Sequence, residues 1–412
     1  MKRARLLLIS LLLFCPWQAL AQDLSGYAEA KGFAYSERSA GDPYGTGWST
    51  LLTKWEYRLA QAQLTASLRA EWITSDERGE LAFDPADRRL RRSPVSLPEF
   101  WVRLPLAPSH DLELGRFQLG WGKTDGYSPA DAFLPRDLSD PFADEKIPLW
   151  ALRASGEEQA LRYQAVAVPF TTPWRLPPLG SRNAPISTGA LPEGTVLVEL
   201  EDSPPLPGFA ALRLLLTRGD WDLGAWVRSG VRPAPLLKFS LDPALQVGPV
   251  PVVSVGRRYP REHGAGIEVS RVAGPYVIRG EAACLFSDDA DLGDAVIGTL
   301  SAERGFGDGT LLVTLAANAI DPPVDQTLLF DRGVLPALFA AWNQSEEWGA
   351  WKVVWIAGLE RGDGVVKGEV GYNITDTWKV TLGGDLPYGT AKGALGALHD
   401  ARRVQLALRR SW

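Results

Sequence analysis

From residue 51 to residue 72 apolar and polar side chains alternate with a period of two. Leu51, Thr53, Trp55, Tyr57 and Leu59 fall on one face, and Leu52, Lys54, Glu56 and Arg58 on the other; this is the period of an extended strand, not of a helix. The pattern resumes after Ala62, with Leu64, Ala66, Leu68, Ala70 and Trp72 against Thr65, Ser67, Arg69 and Glu71, so the two segments predict a hairpin. Phe100, Val102 and Leu104 split the same way from Glu99, Trp101 and Arg103, as do Ala210, Leu212, Leu214 and Leu216 from Arg213 and Thr217. Further along, Tyr276, Ile278 and Ala282 oppose Arg279 and Glu281, and Trp378, Val380 and Leu382 oppose Lys379, Thr381 and Asp385. In the last segment Val404, Leu406, Leu408 and Trp412 alternate with Arg403, Gln405, Ala407, Arg409 and Ser411, and Arg410 breaks the apolar series once.

About 18 segments of this kind can be counted, with 16 an acceptable count, and their connections alternate between short and long. Short ones fall near Gln61, Pro108, Gly156, Gly219, Gly274, Gly307, Glu346 and Thr375; long ones span 37–48, 74–97, 120–146, 169–207, 231–262 and 319–334, with shorter members at 287–292, 360–363 and 387–400. The expected fold is therefore all-β: a transmembrane antiparallel β-barrel with short periplasmic turns and long extracellular loops. A soluble propeller or sandwich also alternates, but it leaves unexplained why polar residues face inward and why the chain carries 16 Trp with a single Met.

Composition narrows the picture. Lys2, Arg3 and Arg5 precede the apolar run Leu6 to Phe14, and Ala19-Leu20-Ala21 follows as a cleavage pattern, so residues 1–21 read as a signal peptide and 22–412 as one barrel domain. Losing those three cations moves the formal charge from −6 to −9, which argues against a nucleic-acid partner. Cys284 is the sole cysteine beyond Cys15, so neither an internal disulfide nor a cysteine-held metal or haem site is available to the mature chain. After residue 21 no apolar stretch reaches the length of a membrane-spanning helix.

If the Leu and Trp positions meet lipid, the alternate set lines a wet, charged lumen: Lys54, Glu56, Arg58, Arg69, Glu71, Arg103, Arg213, Arg228, Arg279, Glu281, Lys367, Glu369 and Lys379. The competing role for each is an ion pair that braces the wall. Residues 169–207, rich in proline, predict a stiff lid over the mouth. The segment 120–146 predicts a loop that dips inward as a constriction. Its aspartates Asp125, Asp131, Asp137, Asp140 and Asp144 lack calcium-loop spacing and are expected to cap turns, so no metal is expected. His110, His263 and His399 all fall in expected connections, with only Glu262 as a suggestive neighbour, so no enzymatic role is expected.

Arg116, Trp121, Gly122, Asp125, Asp131, Pro135 and Asp137, spaced as in GRFQLGWGKTDGYSPADAFLPRD, resemble the signature of a family of proteobacterial outer-membrane porin-like barrels distantly similar to alginate-export barrels; Leu134 replaces the usual asparagine. GPYVIRGEAA and YNITDTWKVTLGGD are similar to later stretches of that family. The resemblance implies a channel in the outer membrane of a Gram-negative cell that passes small polar or charged solutes and needs no cofactor. The alternative is a barrel within a larger envelope complex, either the outer component of an exporter or the sleeve of a porin-cytochrome electron conduit. Expected partners are outer-membrane lipid, the assembly machinery acting on the strand that ends in Trp412, and envelope transport proteins or cytochromes.

Overall fold

The computed structural model describes residues 23–37, 42–59, 61–74, 83–143, 145–179, 181–184, 195–200, 204–241, 251–321, 333–390, 393 and 395–412. The expected signal peptide lies outside them. Among the described residues no helix is long and apolar enough to cross a membrane.

Eighteen antiparallel strands close on themselves. They are β1 (Asp23–Tyr35), β2 (Gly45–Leu59), β3 (Ala62–Ile73), β4 (Phe100–Ala107), β5 (His110–Phe117) and β6 (Leu149–Glu158). Next come β7 (Leu161–Val168), β8 (Phe209–Arg218), β9 (Trp221–Val231), β10 (Arg261–Ala273), β11 (Tyr276–Ser287) and β12 (Asp294–Phe306). The last are β13 (Gly309–Asp321), β14 (Gly333–Glu346), β15 (Gly349–Gly358), β16 (Asp363–Asn373), β17 (Trp378–Tyr388) and β18 (Arg403–Ser411). Consecutive strands pair around the ring, and β1 against β18, in register from Tyr27↔Ser411 to Tyr35↔Arg403, closes it. Gly26 and Trp412 exchange backbone hydrogen bonds at 3.1 Å beside this seam. Closure leaves no long unpaired edge.

The expected turns fall where the alternation placed them, except that the one near Gly156 lies at Gln159–Ala160. All short turns gather at one end of the barrel and all long connections at the other. The barrel wall is incomplete at one place near the loop end: β3 pairs with β4 only over Gln63–Ala66, and above that Val95–Ser96 takes the position opposite Arg69 and Ala70. A small sheet also stands outside the barrel, in which Val196–Glu199 and Leu236–Leu241 flank Val252–Arg258. Alternation did not announce it, because its inner strand places Val252 and Val253 on opposite faces and its partners come from different loops.

The outer surface is apolar. Leu406 (57% exposed) sits opposite Leu382 (59%) on β17 and Gly32 on β1, and Leu300 and Ile267 belong to the same belt. An exposed apolar band of this extent is incompatible with water and is what a hydrocarbon surround requires. Trp221, Tyr276, Phe306, Trp348, Tyr372, Trp378 and Trp412 form an aromatic rim at the short-turn end, and Arg271 lies over the Trp221 ring at 4.7 Å. In lipid vesicles Leu406→Arg is expected to lower unfolding stability by about 2–4 kcal/mol, as for a cation placed on a barrel's lipid face. A neutral or stabilising effect in a urea titration would mean that this face meets water.

Not every large apolar residue faces out. Trp226, Phe209, Val166 and Val168 point inward near the loop end and are buried, because the lumen there is filled by the chain itself.

Candidate functional site

The segment between β5 and β6 supplies the filling. Its apolar side chains Leu119, Trp121, Ala130, Phe133 and Leu134 are buried against the inward faces of β6 to β9, β11 and β12, forming a core inside the barrel. Phe133 is the wedge: its ring meets Trp121 at 5.6 Å and Phe209 at 5.3 Å, both edge-on at 74°, and Trp226 at 6.0 Å. Edge-to-face contacts of this kind fix orientation as well as burying area.

Polar anchors fix the rest of the loop. Glu281 on β11 accepts hydrogen bonds from Lys123 N (2.6 Å), Thr124 N (2.7 Å) and Thr124 Oγ1 (2.9 Å) through one carboxylate oxygen, and from Ser128 Oγ (2.6 Å) and Ala130 N (3.2 Å) through the other. Asp131 closes the loop on itself, accepting from Trp121 N (2.7 Å) and Gly122 N (3.0 Å) and pairing with Lys146 (2.5 Å). Arg213 on β8 holds Glu268 on β10 at both oxygens and also donates to Trp121 O at 2.7 Å. Gly126 has φ +82° and packs so tightly on Phe339 of β14 that a Cβ would not fit. Since β14 is nine strands on from β5 in a ring of eighteen, the loop crosses the lumen to the opposite wall. Further along, Lys367 donates to Phe142 O, and Arg403 pairs with Asp140 (3.0 Å) and Asp385 (2.7 Å).

Above this lies a buried knot of charge. Arg92 reaches Glu71 (2.9 Å), Asp137 (2.8 Å) and Glu145 (2.6 Å); Arg175 joins Asp137 (2.9 Å) to Asp87; and Arg116 pairs with Asp87. Three separate connections, 83–99, 118–148 and the described part of 169–208, are thereby tied together. Burial opposes the charge on Arg92, but Asp137, Glu71 and Glu145 outweigh it and hold its proton well above the ordinary arginine range. Burial likewise raises the Glu145 carboxyl, yet Arg92 and Arg69 prevail and bring it down to about 2.

The thirteen candidates for the lumen divide by what they touch. Arg69, Glu71, Arg213, Glu281 and Lys367 hold the loops, and Arg228 pairs with Glu262 beside them. Arg103 shares Glu113 with Arg153, Arg279 pairs with Glu303 at 2.7 Å, and Lys54 pairs with Glu56 at 3.0 Å, so these brace the wall nearer the short turns. Arg58 also has a partner. Glu369 stands opposite Lys352, and Lys379 opposite Asn373. Of the loop motif, Asp137 accepts from Ser139 N within its own turn, whereas Asp131 accepts from Trp121 N and Gly122 N, ten and nine residues away; both also pair with cations. Arg116 and Trp121 are buried, and Asp125 is exposed; Asp144 lies outside the described residues. Arg92, Arg175, Asp87 and Glu145 carry the knot and had no local signal, because the pairing partners are 21 or more residues apart.

Two of the histidines depart from expectation: His110 opens β5 and His263 lies in β10, leaving only His399 in a connection. Glu262 and His263, being neighbours on a strand, face opposite sides of the wall, Glu262 toward Arg228 and His263 toward Asp288. They do not form a pair.

No family model and no curated protein matches the chain. Among solved structures it is similar to engineered variants of a porin from Rhodopseudomonas blastica. One aligns at a TM-score of 0.44 with 10% identity, covering 95% of this chain and 99% of the porin. A second, a triple variant, aligns at 0.43 with 10% identity over the same shares.

Proposed function

We propose that the chain is a channel of a Gram-negative outer membrane, with its short turns in the periplasm and its loops outside, and that it passes small polar or charged solutes around a fixed constriction. The observation that carries this reading is the pairing of an apolar, aromatic-rimmed exterior with a charged interior crossed by the chain's own loop. An eighteen-strand barrel is too wide for wall side chains alone to fill, so a pinned loop is the means by which its bore is set. Mixed cations and anions along the remaining wall create a transverse field that orients dipolar solutes. Kinship with alginate-export barrels, expected from residues 115–137, fits this architecture without adding a solute.

The same loop weighs against the sleeve of an electron conduit. A haem-bearing partner needs the lumen that residues 118–148 occupy. Incorporation of the purified full-length chain into planar bilayers is expected to give stepwise ionic currents without any added protein. Silence at all voltages, together with copurification of a haem protein, would replace the channel by the sleeve.

A further inference from the structure

Between the inserted loop and the wall, near the loop end, lies a partly open cavity. Leu285, Ile297 and Ile320 from β11 to β13 form one apolar side, and Tyr127 and Trp174 give it aromatic surface. Beside this apolar lining stand two cations, Arg232 and Arg136, and one carboxylate, Glu262. Arg232 lines the cavity, and its nearest carboxylate, Glu262, is 3.7 Å away, an ion pair without a hydrogen bond. The same Glu262 is already engaged by Arg228, whose Nε and Nη1 are buried with no hydrogen-bond partner. Arg136 also reaches the cavity and has a partner of its own. Asn318 also lines the cavity and hydrogen-bonds Tyr127.

From this we infer that the cavity binds a small organic monoanion, a carboxylate carried on an apolar or aromatic body. One carboxylate shared by two buried guanidiniums leaves an excess positive charge, and an anion is what removes it. The apolar walls favour a monoanion over a phosphate-like dianion, whose desolvation they do not repay. An aromatic body finds Trp174 and Tyr127, and the carboxylate finds Arg232. Burial in this setting pushes the Arg232 guanidinium down to about 10, which still leaves it charged at neutral pH. The site stands on the cavity and its charges alone, so a failed conductance measurement would not remove it.

Benzoate is a suitable probe, with benzamide as its neutral counterpart of the same shape. Calorimetric titration of the full chain in detergent is expected to show saturable benzoate binding at one site and no benzamide binding at the same concentrations. Arg232→Gln is expected to weaken benzoate about tenfold or more, as for a lost charge-assisted hydrogen bond. Ala295→Trp, which leaves every charge in place but fills the space, is expected to abolish binding. Lys238→Gln, on the small external sheet, removes the same charge and is expected to leave binding unchanged. Equal binding of benzamide, no saturable benzoate heat, or benzoate affinity indifferent to both cavity variants would overturn the assignment.

Discussion

Glu281→Ala is expected to raise single-channel conductance severalfold and to make the open current noisy. The loop is held across the lumen by aromatic packing at Phe133 and by one carboxylate that gathers five donors between Lys123 and Ala130. Removing that carboxylate frees the far end of the loop while leaving the wedge near β8 and β9 in place. The free-energy cost is at least about 1–3 kcal/mol, because Glu281 (4% exposed) is a buried charged acceptor and its loss leaves buried donors unsatisfied. That is small for a barrel but large for a loop, since it shifts a local opening equilibrium about tenfold or more. Glu281→Gln, which keeps the shape and half the acceptor capacity, is expected to fall between. If Glu281→Ala conducts as the parent does in planar bilayers, the loop does not set the bore.

The second large effect concerns the knot at the mouth. Asp137 is 2% exposed and receives both Arg92 and Arg175, so Asp137→Ala leaves two buried cations short of a partner. Breaking a buried pair in this way costs about 3–5 kcal/mol. The barrel's strands do not depend on it; the joints between loops do. Leu138 N donates to Arg175 O at 2.8 Å and Arg175 N to Arg136 O at 3.0 Å, and these amides are expected to exchange with solvent about a hundredfold faster in the variant. Amides of β12 and β13 are expected to stay protected, and loss of protection there would mean that the knot serves the whole fold. The pH dependence follows from Glu145. Its carboxyl is held at about 2 against a usual 4.5, so its share of the stabilisation is complete above pH 4.5 and disappears as the pH falls through about 2. Protection of the loops that persists at pH 4 agrees with this; collapse already at pH 5 does not.

Much of the barrel was legible in the alternation because a strand that separates lipid from water has only two environments. Lys54 and Trp55, or Leu406 and Ala407, differ in neighbourhood simply by parity, and parity is local. Apolar character misled at a few positions where parity did not. Trp226 and Phe209 are inward yet apolar because the third environment, the chain's own loop, meets the wall there. Nothing near Trp226 in sequence announces Phe133, which lies 93 positions away. The tight approach of Gly126 to Phe339 depends on where the opposite wall stands.

By itself, then, the order of residues determined the strands, their approximate number, the alternation of short and long connections and which face of most strands is charged. All of these follow from interactions between near neighbours in a medium that changes sharply across one sheet. Only the tertiary structure decided that the loop expected to dip inward reaches the opposite wall at Phe339 and that Glu281 receives it. It alone divided the lumen charges into loop holders and wall braces, and it joined Arg92, Asp137 and Arg175 from three connections. Ion pairs and aromatic wedges act between side chains brought together by barrel closure, and the distance along the chain between such partners carries no trace of their meeting.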